Sequence, residues 1–293
     1  MIEPDVAVVV ITRDRAPSLR RTLAHLLALG EADRVVVVDN GSTDGTPADV
    51  RRRFPQVELI ALDRNAGAAG RNIAAESLHH PFVAFADDDT RWARGALHRA
   101  AGHLRRNPAL ALVAGVYVLP GGRPDPLAVE MAASPLPARP GQPGPRVVGF
   151  PAGATMVRRE AFVAIGGFDE RFGVGGEEQL LALDLLDAGW DLCLARDVAV
   201  LHDPAPRSGG QRRARARLEA RNRLRTALLR RPLGDLPAAF GAVWRTAGLR
   251  GAASMAGTVA DLPWLLRERR VVSTAALTDV RAVERGSTSV PRW

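Results

Sequence analysis

Residues 82–90 read FVAFADDDT, an apolar run that delivers three consecutive carboxylates, Asp87, Asp88 and Asp89, to its end. Adjacent carboxylates repel one another, and a solvated turn needs only one Asp. The triplet is therefore either an overbuilt turn or a site for something positive, a divalent cation foremost. Other residues with chemical potential punctuate the chain in the same way. Thr12 and Arg15 follow VAVVVIT, DNGSTDGT (39–46) follows RVVVV, and RNAGAAGRN (64–72) follows VELIAL. Taken singly, each suits turn chemistry, since Asn-Gly and Asp-Gly are common turn pairs. Two acids, Glu177 and Glu178, open a helix-like run, where the helix macrodipole favours negative charge.

The elements that must position these residues alternate. The β-branched runs 6–12 and 34–39 have the pattern of strands buried on both faces. Between them Leu19, Leu23, Leu26 and Leu27 recur at helical spacing and Gly30 supplies a stop. Thr46 and Pro47 read as an N-cap and first helical residue. Strands over 57–62, 82–86 and 110–119 and helices over 66–78 and 92–106 continue the series, which predicts an α/β fold with a mostly parallel sheet flanked by helices. Ligands bind such sheets at the carboxyl ends of the strands. Four polar clusters fall at that one edge, a coincidence that turn chemistry does not explain.

The texture then changes. Eight prolines between 120 and 146 predict a long functional loop. Helices near 159–165 and 177–188 and two strands, DLCLA (191–195) and VAVLH (198–202), follow. An Arg-dense stretch from Arg207 to Arg225 reads as a solvated helix face or, alternatively, as a surface for anions such as membrane headgroups. Two amphipathic helices over 233–268 and a poorly ordered tail over 270–293 complete the expectation.

Composition narrows the function classes. The chain has 293 residues and a net charge of +8, with every basic residue an Arg. Wholesale Arg alongside abundant Ala, Gly and Pro reflects codon bias, so no nucleic-acid partner is expected. The single cysteine, Cys193, excludes an intrachain disulfide and a multi-Cys zinc site, reads as a buried structural thiol, and suits a reducing cytoplasm. No signal peptide is apparent, and the apolar stretch from Leu236 to Leu266 is broken by Arg245, Arg250 and Asp261.

In order and spacing, VVVITRDR, VVVVDNGSTDGT, RNAGAAGRN and FADDDT resemble the nucleotide-sugar-binding half of the family 2 glycosyltransferases, of the GT-A (Rossmann-like) fold. The resemblance resumes at GGFDERFGVGGEEQLLALDLLDAGW (166–190), similar to the family's acceptor side. It implies a catalytic domain over 1–205, with a donor half (1–120) and an acceptor half (147–205), and an Arg-rich helical extension over 206–293. By the same resemblance Asp39 accepts the N3–H of a uracil or thymine ring, while Thr12 and Arg15 line the base and diphosphate pocket. Arg71 grips phosphate, and Asn65 and Asn72 tie their loop. Asp89 ligates Mg2+ or Mn2+, and Asp87 contacts ribose or metal on the same side of an extended chain. Asp88 points elsewhere and is counted with the donor-binding residues, without a defined role of its own. His202 offers a third metal or phosphate contact.

Inverting transfer needs a base. The resemblance assigns Glu178 to it and Glu177 to holding the acceptor. The implied partners are a UDP- or dTDP-sugar donor and a glycan, lipid-linked or small-molecule acceptor, with peripheral membrane association compatible. Departures from the pattern stand at Leu180 and Asp184, where an acid and an Arg are frequent. Two other readings share the donor motifs: a sugar-1-phosphate nucleotidyltransferase and a nucleotide-sugar-binding protein without activity. The first would need a Gly-rich basic signature after the first strand, and TRDRAPSL has none.

Overall fold

The structure, a computed structural model, describes residues 5–286 except 207 and 248, without the side chains of 246–256. Arg207 of the Arg-rich run and residues 287–293 of the expected tail lie outside the described residues. The N-terminal part comprises β1 (Val6–Thr12), α1 (Ala16–Leu29), β2 (Arg34–Asp39), α2 (Thr46–Arg53), β3 (Glu58–Ala61), α3 (Gly70–Ser77), β4 (Phe82–Asp87), β5 (Thr90–Trp92), α4 (Ala96–Arg106) and β6 (Leu110–Val118). There follow α5 (Pro126–Ala132), β7 (Thr155–Arg158), α6 (Arg159–Ala164), α7 (Glu178–Asp187) and β8 (Asp191–His202). The extension carries α8 (Gly209–Arg230), α9 (Leu236–Ala247), α10 (Leu249–Arg267) and α11 (Thr274–Gly286).

Eight strands form one sheet in the order β3-β2-β1-β4-β7-β6-β8-β5. The first four are parallel. β7 runs antiparallel to β4 and β6, β8 is parallel to β6, and short β5 is antiparallel to β8. Side-chain alternation divides the core. Val6, Val8 and Val10 pack with Leu19, Leu23 and Leu104 on one face. Ala7, Val9 and Ile11 pack with Ala74, Phe162 and Leu181 on the other. Each fully buried Val or Leu contributes roughly 1.5–3 kcal/mol, and such strands admit polar residues only where they end. Register brings those ends together: Thr12 pairs with Asp39, and Ile11 with Asp87.

Several expectations are corrected. DLCLA and VAVLH form one strand, β8, because a register shift opposite Ala114–Val116 absorbs exposed Arg196 and Asp197 as an irregularity. The proline-rich loop contains α5, where Asp125 caps Leu127 N–H at 2.8 Å and Pro126 opens the helix. Most of the expected tail is α11, whose Ala276, Leu277, Val280 and Val283 recur at helical spacing and are buried. The Arg-rich run is not simply a solvated face. Arg221 and Arg225 of α8 both turn inward onto Asp261 of α10, with N···O distances of 2.8–3.0 Å. The departures at α7 serve the extension: Leu180 packs with Leu229 and Leu265, and Asp184 binds Arg230 and Arg270. Among the described residues no helix is long and apolar enough to cross a membrane.

Candidate active site

The carboxyl edge of the sheet is built on turns that follow buried strands. Asp39 is buried at the end of β2, and its two oxygens accept Ser42 N–H at 2.9 Å and Ser42 Oγ at 2.5 Å. Each oxygen keeps a lone pair for a further donor. Asn40 accepts from Ala66 N–H at 3.1 Å and donates to Gly67 O at 3.2 Å, fixing the third loop against the second. Asn65 and Asn72 tie loops, Asn65 to Gly67 N–H and Asn72 to both sides of Phe168. Gly67, at φ +61°, approaches Gly173 so closely that a Cβ would stand 2.7 Å from its backbone, and Ala68 N–H donates to Gly173 O. The loops after β2 and β3 and the loop before α7 are thus locked together.

The aspartate triplet divides differently from the expectation. Extended backbone stops at Asp87, and Asp88 and Asp89 form a turn that Thr90 closes by accepting Asp87 N–H on its hydroxyl at 2.8 Å. Strand alternation therefore does not govern Asp89. Asp87, 38% exposed, accepts from Arg71 Nη2 at 2.5 Å. Asp88 turns inward, accepting from Thr12 Oγ1 at 3.0 Å, with Arg15 Nη1 3.1 Å from its other oxygen. Burial pushes Asp88 up to about 7 against the pull of Arg15. Asp88 thus binds both Thr12 and Arg15, with its two oxygens engaged inside the protein. Arg15 also donates to Asp89 Oδ2 at 3.0 Å. Arg71 does not present itself to phosphate: it is 2% exposed, runs between Phe85 and Phe168, and orients Asp87.

His202 joins this edge because antiparallel pairing sets it opposite Thr90. Its Nε2 lies 3.9 Å from Asp89 Oδ1, and its Nδ1 is buried without a protein partner. Two ligands each about 2.1 Å from one cation stand at most ~4.2 Å apart, so Asp89 and His202 fit a single Mg2+ or Mn2+. Among the described residues no three Asp, Glu, His or Cys side chains converge as a metal cage, and Asp87 is turned to Arg71 instead. A cation held here needs oxygens from its ligand, the usual arrangement for Mg2+ on phosphates.

The loop before Glu178 ends at α7. Glu177, 2% exposed, folds back onto Gly175 N–H and does not face an acceptor, contrary to the expectation. Burial, and then neighbouring Glu178, push it up to about 8. Glu178, half-buried, opens α7. A carboxyl with a raised folded pKa stabilises most below its unfolded value near 4.5, and the stability is lost as pH rises toward about 8. Glu177→Gln is expected to remove that decline, leaving wild type and variant alike near pH 4 and separated by a few kcal/mol above pH ~8. Denaturant titrations across that range check it, and parallel curves reject it.

The extension supports this loop. Asn222 of α8, fully buried, donates to Phe172 O and Gly175 O, both at 2.8 Å. Arg225 donates to Arg171 O at 2.6 Å and to Asp261, and Arg215 donates to Val174 O at 2.8 Å. Asn222→Ala leaves two buried carbonyls unpaired, so a loss of roughly 2–4 kcal/mol in unfolding free energy is expected. Chemical denaturation would measure it, and a loss under ~1 kcal/mol would show that water replaces the amide.

Sequence reasoning missed Tyr117, Gly153 and Asn222. Tyr117 stacks on His202 at 4.5 Å, and burial, then Asp87, raise its phenol well above the usual range, with Asp89 and Glu178 adding to the effect. A Cβ at Gly153 would stand 2.5 Å from Asp87 Oδ2 and 2.6 Å from the Tyr117 hydroxyl. The signal for Tyr117 was its place as the chain's single tyrosine, ending an apolar strand. Cys193 is a free, buried thiol that burial pushes up to about 12.

Comparison with known proteins adds a lineage. The N-acetylglucosaminyl-diphospho-decaprenol L-rhamnosyltransferase of Mycobacterium tuberculosis is 31% identical over 236 residues, 69% of this chain and 77% of that one. The pre-mycofactocin glycosyltransferase of the same organism is 34% identical over 206 residues, 68% of this chain and 43% of that one. Among solved structures, the mannosyltransferase PcManGT from Pyrobaculum calidifontis, in complex with GDP-Man and Mn2+, superposes with a TM-score of 0.59 at 24% identity, covering 97% of this chain and 87% of that one. GalNAc-T7 with UDP, GalNAc and Mn2+ gives 0.67 at 13% identity, covering 98% and 58%. These two share the GT-A fold. Residues 7–166 match glycosyl transferase family 2, and with the relatives' identity over two thirds of its length, the chain belongs to that family.

Proposed function

We propose that the protein transfers a sugar from a UDP- or dTDP-sugar to an acceptor hydroxyl with inversion, assisted by Mg2+ or Mn2+. The observation that carries this reading is the meeting, at one sheet edge, of Asp39, the Asp87–Asp89 turn and His202. The rhamnosyltransferase relative, acting on a diphospho-decaprenol, favours a deoxyhexose donor and a lipid-linked acceptor.

In this reading the free lone pairs of Asp39 accept the N–H of the nucleotide base. Asp89 and His202 hold the cation, which when bound offsets negative charge on the departing diphosphate. Arg15 stays anchored by Asp88 while its bond to Asp89 shifts to phosphate oxygen. Glu178 takes the proton of the acceptor hydroxyl as that oxygen bonds the anomeric carbon. The bond from that carbon to the diphosphate breaks, and the nucleoside diphosphate leaves with the electron pair. Glu177, buried and protonated near neutral pH, holds the loop through Gly175. Reaction in the cytoplasm, with or without peripheral contact to the inner face of a membrane, belongs to the same proposal.

A panel of nucleotide sugars with and without Mn2+, read by thermal unfolding, tests it. Metal-dependent stabilisation of several degrees by one nucleotide class is expected. Absence of a shift with every uridine, thymidine and guanosine diphosphate sugar rejects it. Pyrophosphate release from a nucleoside triphosphate would instead identify a nucleotidyltransferase.

A further inference from the structure

A histidine that binds a metal is commonly oriented by a hydrogen bond from its other ring nitrogen. His202 has no such bond: its Nδ1 is buried without a hydrogen-bond partner among the described residues. The outer torsion of a histidine side chain is otherwise broad. Some other contact must therefore set the ring plane that brings Nε2 to 3.9 Å from Asp89 Oδ1. Tyr117 supplies it. The two rings stack, with centroids 4.5 Å apart and planes 29° from parallel. Strand register produces the contact, because Tyr117 of β6 pairs with Val200 of β8. His202, two residues on, lies diagonally across on the same face, within reach of an aromatic side chain.

Tyr117 is itself firmly held. It is buried in the core that contains Val200 and Trp92, and its carbonyl accepts Asp125 N–H at 2.9 Å. Gly153 bounds its hydroxyl, since a Cβ there would stand 2.6 Å away. The Gly153 carbonyl in turn accepts the Thr90 hydroxyl at 3.0 Å, which ties it to the aspartate turn. We propose that Tyr117 is a positioning residue, whose ring holds the His202 imidazole in the plane at which Nε2 and Asp89 share one divalent cation. The ring does this and not the hydroxyl, because stacking needs only the aromatic face. The inference rests on the metal-assisted reading of the site and names the residue that orients its nitrogen ligand.

Mn2+ titrated into the full chain with UDP or dTDP, followed by electron paramagnetic resonance, tests it. Wild type should bind Mn2+ and show nitrogen hyperfine coupling from the imidazole. Tyr117→Leu removes the ring and should weaken Mn2+ about 10- to 100-fold, with the nitrogen coupling lost. Tyr117→Phe keeps the ring and should match wild type in both. His202→Ala should lose the coupling, and adding Tyr117→Leu to it should weaken Mn2+ no further, because the two side chains act as one unit. Wild-type affinity and coupling in Tyr117→Leu overturn the assignment. So does a Tyr117→Phe protein as impaired as Tyr117→Leu, or a Tyr117→Leu loss that persists in full without His202. Thermal unfolding without metal shows whether Tyr117→Leu folds. If it does not, Gly153→Ala decides: its methyl presses on the Tyr117 hydroxyl and should weaken Mn2+, and adding Tyr117→Phe should restore binding. Absence of that relief rejects the proposal. Wild type separates the failures. If it binds Mn2+ with nitrogen coupling and the Tyr117 variants do the same, the positioning role alone falls. If it binds no Mn2+ with either nucleotide, or binds it without nitrogen coupling, the reading of His202 as a metal ligand falls and the role of Tyr117 with it.

Discussion

Replacing Asp89 with alanine is expected to abolish the metal-dependent part of donor stabilisation and to slow transfer roughly a hundred- to thousandfold. The magnitude follows from the several kcal/mol that a cation contributes to charge stabilisation on a leaving diphosphate. Asp89 is the carboxylate that meets His202, at 3.9 Å, whereas Asp87 is committed to Arg71. The fold should survive the change, because Asp88 still pairs with Arg15 and Thr12. Isothermal titration with Mn2+ and the nucleotide, beside thermal unfolding of the unliganded variant, would separate lost metal from lost structure. An Asp89→Ala protein that still needs Mn2+ with unchanged affinity would move the site to Asp87. Asp88→Asn tests the division from the other side: its cost should fall on stability and on the position of Arg15.

Glu178→Gln should lower kcat by roughly a hundred- to ten-thousandfold while leaving donor binding intact. The expectation rests on the contrast between two adjacent acids. Glu177 is buried, bonded to Gly175 N–H and pushed up to about 8, so it holds its proton near neutral pH and cannot take another. Glu178, half-buried, is the first residue of α7 and lies beside Glu177. Steady-state kinetics of both glutamine variants on one acceptor decide the matter. A larger kcat loss in Glu177→Gln, in a variant that remains folded, would exchange their roles.

The parallel half of the fold was legible because its signal is local. Val6–Val10 and Val35–Val38 are runs of β-branched residues that only a two-sided core accommodates. The polar residues at their ends were legible for the same reason, since Thr12, Asp39 and Asp87 are where the apolar runs end. Orientation was not. A strand reading carried through Asp89 set it beside Asp87, but the chain turns at Asp88, and that depends on Thr90 reaching back to Asp87. Likewise α11 carried a helical period that charged residues and the adjacent terminus obscured, although packing makes it part of a core.

By itself the sequence determined which residues have the chemistry and at which strand ends they lie, because strand burial and side-chain periodicity are properties of neighbours along the chain. Tertiary structure alone decided which carboxylate meets which cation. Arg71 goes to Asp87, Arg15 to Asp88 and Asp89, and His202 to Asp89, through partners 16 to more than 100 residues apart. It also decided that Asn222, in a helix whose sequence reads as a charged surface, supports the loop before Glu177. Hydrogen bonds and ion pairs of this kind depend on distance in space, which no spacing in the chain encodes once strands cross over and helices pack between them.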